Sequence, residues 1–211
     1  MRAIDLSLYA IVDRDVGETL TIEEFTEGII AGGTTCLQVR LKTDTTRSFI
    51  DFTRRVLAVA AVTGTPVIVN DRVDVALATG TDGIHLGDDD MTVADARRIC
   101  GKALVIGASV RDLESARAMS DAGADYLGVG PVFATPVKPD LAPIAPGTLR
   151  SIRSEISLPI VAIGGINEKN VATPLGEGAD GVAVISALRR CQSPKEAASR
   201  LRTAIDHAKK R

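Results

Sequence analysis

Three basic side chains, a set of acids and two late turns, the first of them built on Gly164-Gly165, carry the chemistry that this sequence can offer. In Gln38-Val39-Arg40-Leu41-Lys42 the polar residues alternate with apolar ones, so Gln38, Arg40 and Lys42 share one side of a strand. Two short runs rich in Val and Ile, Val67–Val69 and Ile84–Leu86, break off into polar sequence. The first opens into Asn70, Asp71 and Arg72, the second into Gly87 and the triple acid Asp88, Asp89, Asp90. Acids gathered where two such strands end repel one another unless a cation lies between them. Ser109, Thr135 and Lys138 follow later runs, and Ile163-Gly164-Gly165 and Ile185-Ser186 close the last two. Cations suit phosphate oxygens, and carboxylates suit a magnesium ion shared with those oxygens. Backbone N–H groups laid open by glycine at a helix start bind phosphate directly. The pattern is that of a metal and phosphate site.

Read one at a time, most of these features have a plainer explanation. A solvated strand end explains Gln38, Arg40 and Lys42 about as well. Asn70-Asp71-Arg72 alone reads first as a helix cap, and so does Asp88–Asp90 ahead of Met91-Thr92-Val93. His85 lies inside a strand run and reads as a hydrogen-bonded core histidine rather than a base. Phe133 is the one aromatic expected near the site, and packing beneath a loop accounts for it. The two late turns weigh more, because both partners of a phosphate cradle occur at the two strands where barrels place one.

The elements that must position these residues alternate along the chain. Strands are expected at Leu8–Val12, Cys36–Val39, Val67–Val69, Ile84–Leu86, Leu104–Ile106, Tyr126–Val129, Ile160–Ile163 and Val182–Ile185. Helices are expected at Ile22–Ala31, Thr46–Val62, about Val73 to Ala78, about Val93 to Cys100, roughly Leu113–Ala122 and near Thr148–Ile156, with one more before the last strand and one after Ser186. Units of roughly 25 residues predict a parallel (βα)8 TIM barrel, with an open doubly wound sheet as the alternative. Residues 1–211 are expected to form one such domain, without a linker. Gly80-Thr81-Asp82-Gly83, Gly123-Ala124-Asp125-Tyr126 and Gly178-Ala179-Asp180-Gly181 each precede an apolar run. Their acids are expected to cap turns on the face away from the chemistry. In a barrel, residues just after the strands converge on one mouth, which would also receive Asp13.

Composition narrows the function further. Apolar residues make up 45% and charged residues 25% of 211, with a formal charge of −2. That balance argues against a nucleic-acid partner or a membrane-surface binder, which would show a basic excess. No apolar segment approaches a bilayer span, and the N-terminal stretch lacks a signal-peptide profile. Cys36, Cys100 and Cys191 are far apart and read as buried thiols of a reducing, cytoplasmic compartment. With only His85 and His207 beside them, they argue against a zinc site. The sequence leaves a homo-oligomer open.

Taken in order, the blocks resemble the thiamine phosphate synthase family. They are Gln38-x-Arg40-x-Lys42, Val69-Asn70-Asp71-Arg72-Val73-Asp74, His85-Leu86-Gly87-x-x-Asp90, Gly107-x-Ser109, Tyr126-x-Gly128-x-Gly130-Pro131-x-Phe133-x-Thr135, Lys138 and Ala162-Ile163-Gly164-Gly165-Ile166. The resemblance spans nearly the whole chain and implies a (βα)8 barrel. It also implies an enzyme that joins hydroxymethylpyrimidine diphosphate to thiazole phosphate, releasing pyrophosphate by a dissociative displacement. By the same matching, Asp71 and Asp90 would ligate Mg2+, and Arg40, Lys42, Asn70, Ser109 and Lys138 would hold the diphosphate. Gln38 would contact the pyrimidine, and Thr135, Gly165, Ile185 and Ser186 would receive the thiazole phosphate. Two positions depart from the family. Val137 stands where a second threonine is usual, and its side chain offers no hydrogen bond; Asp88 stands where glutamine is common. A thiazole tautomerase on the same barrel is the nearest rival, but it would not need the full diphosphate set. An aldolase would want a desolvated lysine inside a strand, and none is present. A non-catalytic phosphate-binding barrel is the rival of a different class.

Overall fold

The structure is a computed structural model that describes residues 4–16, 20–137, 139–189 and 191–210. Eight parallel strands close into a barrel in sequence order, each followed by a helix. The strands are β1 (Leu8–Val12), β2 (Cys36–Val39), β3 (Val67–Asn70), β4 (Gly83–Leu86), β5 (Val105–Val110), β6 (Tyr126–Val129), β7 (Ile160–Ile163) and β8 (Gly181–Val184). Closure is made by β1 on β8, with Leu8 opposite Val182 and Ala10 opposite Val184. The open-sheet alternative is thereby excluded.

Local sequence explains the elements. Helix α1 (Ile22–Ala31) starts at a capping box in which Thr21 and Glu24 satisfy each other's backbone N–H groups. It buries Ile22, Phe25 and Ile29, one face at helical spacing. Helix α2 (Thr46–Thr63) is capped by the Thr45 hydroxyl and stopped by Gly64 in the left-handed conformation. The three repeated acids do what their turns imply. Asp82 accepts the N–H of Val67 at 2.8 Å, Asp125 that of Ile106 at 2.7 Å and Asp180 that of Ile160 at 2.8 Å. Each acid ties the start of an even-numbered strand to the start of the strand before it, on the face away from the strand ends.

Because side chains alternate along each strand, the barrel has two apolar layers. One lies between sheet and helices. The other fills the interior with Leu6, Tyr9, Ile11, Cys36, Ile68, Tyr126, Val161 and Ala183. One expectation shifts: β5 runs on to Val110, so Ser109 is a strand residue inside the barrel rather than part of the loop beyond it. The cause is local, since Gly107, Ala108, Ser109 and Val110 all pair with β6. No helix among the described residues is long and apolar enough to cross a membrane.

Candidate active site

The strand ends open into one cavity. Its lining includes Gln38, Arg40, Asn70, Asp88, Ser109, Thr135, Val137, Gly164, Gly165, Ile185 and Ser186. Residues from seven strand ends therefore converge, as the barrel geometry predicts. Lys138 lies outside the described residues. Lys42, Asp71 and Asp90 do not line the cavity themselves. They form a cluster beside it, each within two residues of a lining residue, Arg40, Asn70 or Asp88.

In that cluster the Lys42 ammonium donates to Asp71 Oδ2 at 2.5 Å. Asp71 has φ +64°, the one positive φ of a non-glycine among the described residues. Holding it there costs energy that an ordinary turn avoids, and its N–H is fixed on the carbonyl of His85 at 2.8 Å. The N–H of Gly87 donates to Asp90 Oδ2 at 2.8 Å. Burial raises the Asp90 carboxyl above its ordinary range, and a hydrogen bond shared with Asp71 adds to the rise, against the Gly87 N–H and the charge of Lys42. Neither capping explanation holds. Arg72 occupies the N-cap of α3 (Val73–Thr79) without a side-chain cap, and Thr92 caps α4 (Val93–Cys100). Two facing carboxylates, with Asp90 made costlier to ionise by burial and by Asp71, fit a hard divalent cation. Among the described residues no group of three His, Cys, Asp or Glu gathers for a metal. A magnesium ion takes one or two carboxylates and completes its shell with water and phosphate oxygens, so the pair is compatible with one.

Across the barrel interior runs a chain of hydrogen bonds that sequence reasoning missed. Gln38 Nε2 donates to Tyr9 Oη at 2.9 Å, and the two phenol oxygens of Tyr9 and Tyr126 are 2.9 Å apart. His85 Nδ1 lies 3.0 Å from Tyr126 Oη, and His85 Nε2 lies 3.0 Å from Ser109 Oγ. Tyr9 and Tyr126 both line the cavity, whereas Phe133, the aromatic expected near the mouth, packs against the outer apolar layer. His85 is the hydrogen-bonded histidine that its strand position implies.

The remaining residues complete the walls. Gly164 and Gly165 have φ of +100° and +63°, which turns the chain sharply after β7. Thr135 Oγ1 accepts the N–H of Val137 at 3.3 Å. Asp13 takes no part in the cavity, because the Arg189 guanidinium binds it from beyond β8. Arg111, two residues past Ser109, lines the cavity and donates to the carbonyl of Ala142 at 2.7 Å.

Comparison with known proteins shows the family and supports the fold. Residues 8–188 match the family described as thiamine monophosphate synthase. The chain belongs to that family. The thiamine-phosphate synthase of Chloroflexus aurantiacus is 45% identical over 203 residues, covering 96% of this chain and 94% of that protein. The one of Albidiferax ferrireducens is 43% identical over 202 residues, covering 95% and 92%. Among solved structures, a thiamine phosphate pyrophosphorylase from Pyrococcus furiosus superposes with a TM-score of 0.88 at 38% identity, covering 97% of both chains.

Proposed function

We propose that this chain joins hydroxymethylpyrimidine diphosphate to thiazole phosphate, forming thiamine phosphate and releasing pyrophosphate by dissociative displacement. The observation that carries the reading is the division of the mouth. Arg40, Asn70 and Ser109 stand with the Lys42–Asp71–Asp90 cluster on one side, and Gly164, Gly165, Ile185 and Ser186 on the other. The first group suits a diphosphate and the second a phosphate monoester, while Gln38 lies deep between them. Lys138, next to Val137 in the loop after β6, is assigned to the diphosphate by family likeness alone.

Departure of the diphosphate gathers negative charge on its oxygens, and Arg40, Lys42, Asn70 and Ser109 are placed to meet that charge as it grows. Asp71 and Asp90 would hold the magnesium ion, which when bound neutralises part of the same charge. The pyrimidine-methyl cation left behind is captured by the thiazole nitrogen, so the main step needs no general base. Burial pushes the phenols of Tyr9 and Tyr126 well above their ordinary range, so they remain neutral donors and acceptors. Apolar Ile11, Val161, Ile163 and Val184 line the rest and keep water from the cation. The partners are thus small molecules, in a single barrel domain whose free thiols suit the cytoplasm. A tautomerase would not need the diphosphate side, which here is intact among the described residues.

Purified protein given both substrates and Mg2+ should release pyrophosphate and form thiamine phosphate. Folded protein that releases none under those conditions overturns the reading. Val137→Thr tests the departure from the family, since Val137 lines the cavity two residues from Thr135. A new hydroxyl on the phosphate should lower the thiazole phosphate KM by about threefold to tenfold. An unchanged KM would mean that the loop binds through its backbone N–H groups.

A further inference from the structure

We propose that Tyr9, Tyr126 and His85 form a one-directional hydrogen-bond chain that presents Gln38 to the substrate as an acceptor and Ser109 as a donor. The three are positioning residues, and their part in catalysis rests on the function proposed above. Direction follows from chemistry at one end. The amide nitrogen of Gln38 can only donate, so Tyr9 Oη accepts it at 2.9 Å. The Tyr9 proton is then directed to Tyr126 Oη, 2.9 Å away. Tyr126 in turn spends its proton on His85 Nδ1 at 3.0 Å. A neutral imidazole that accepts at Nδ1 carries its hydrogen on Nε2, which donates to Ser109 Oγ at 3.0 Å. The Ser109 proton is left for a ligand, and a diphosphate oxygen is the acceptor that the cavity supplies. At the other end Gln38 keeps its carbonyl oxygen for a donor on the pyrimidine.

The fold makes room for this chain at a cost elsewhere. Tyr9 and Tyr126 are each 1% exposed, in an interior that apolar side chains would fill without polar atoms to satisfy. The strands beside the rings carry glycine where a side chain would collide. A Cβ at Gly107 would lie 2.1 Å from Tyr126 Cζ, and one at Gly128 would lie 2.8 Å from His85 Cε1. The rings also hold one another, Tyr9 and Tyr126 edge to face at 6.1 Å and His85 tilted against Tyr126 at 5.5 Å. Ring packing alone would need none of the polar atoms. Their alignment from Gln38 to Ser109, along a wall of the cavity that all five residues line, is what points to a directed chain.

The test separates direction from packing. In protein carrying His207→Gln, His85 is the only histidine left, and its nitrogen NMR shifts report the tautomer. The expected result is hydrogen on Nε2, with that preference lost in Tyr126→Phe. Hydrogen on Nδ1, or a preference unmoved by Tyr126→Phe, overturns the proposal. Kinetically, Tyr9→Phe and Tyr126→Phe should each raise the pyrimidine diphosphate KM about tenfold, leaving the thiazole phosphate KM unchanged. Cys36→Ala, in the same interior layer but outside the chain, should leave both unchanged. Equal rises in both KM values, or the same rise in Cys36→Ala, would mean packing and overturn the proposal. If wild-type protein releases no pyrophosphate, the reaction reading fails, while the tautomer still decides the chain.

Discussion

Asp90→Asn is expected to lower turnover about a thousandfold at limiting Mg2+, equivalent to about 4 kcal/mol of lost transition-state stabilisation. The same substitution should make the metal-free protein more stable at neutral pH. Burial and Asp71 hold the Asp90 carboxyl above its ordinary value in the folded chain. A group whose folded pKa is raised contributes stability that is fully present below its unfolded pKa, and loses it as pH rises through the folded pKa. At neutral pH the acid therefore works against the fold, and a neutral amide that can still accept the Gly87 N–H removes that burden. The Tm of metal-free Asp90→Asn should exceed wild type by up to a few degrees at pH 7, after allowance for solvent screening of a half-exposed group. The difference should vanish below about pH 4. Added Mg2+ should raise the Tm of wild type and not of the variant. A variant that loses Tm at neutral pH, or keeps near-normal turnover, would remove Asp90 from the metal pair.

That opposition between stability and activity also explains which parts of the site are legible in sequence. The barrel can be read because two local signals repeat: apolar runs of strand length, and Gly-x-Asp turns whose acids clamp the preceding strand. Asp71 and Asp90 can be read because charge at the end of a buried strand needs a reason. Tyr9 and Tyr126 offer no such contrast. A tyrosine within an apolar strand looks like any core residue, and its hydroxyl partners lie on strands far along the chain. The signal that could have found them is the pair of strand glycines, Gly107 and Gly128, each vacating the space beside a ring. Asp13 fails in the opposite way. Its position after β1 places it among the mouth residues, yet Arg189, 176 residues later, takes its carboxylate. Arg111 was invisible because nothing in its local sequence tells a cavity cation from a surface one.

Gly165→Ala is the second large effect, and it should fall on the other wall. At φ +63° an alanine Cβ crowds its own carbonyl, which costs about 1–2 kcal/mol. The space is closed as well, because the added carbon would lie 2.5 Å from the carbonyl oxygen of Ala134 and 2.8 Å from Phe133 Cβ. Those atoms cannot simply swing aside. Val132 N–H donates to the carbonyl of Ile163 at 2.8 Å, and Phe133 N–H to that of Gly164 at 3.0 Å, so the loop after β6 is laced to the turn after β7. Relief must come from moving one backbone off the other. Together the strain and overpacking should cost about 2–4 kcal/mol and lower Tm by roughly 5–15 °C. Thr135 rides on the displaced loop and Gly165 is itself part of the proposed cradle, so the thiazole phosphate KM should rise about tenfold to a hundredfold. Apart from Lys138, the groups proposed for the diphosphate lie on β2 to β5, so the pyrimidine diphosphate KM should rise far less, by no more than about threefold. Calorimetry and steady-state kinetics with each substrate varied in turn check both halves. A rise in the pyrimidine diphosphate KM alone would mean that the two walls have been assigned to the wrong phosphates.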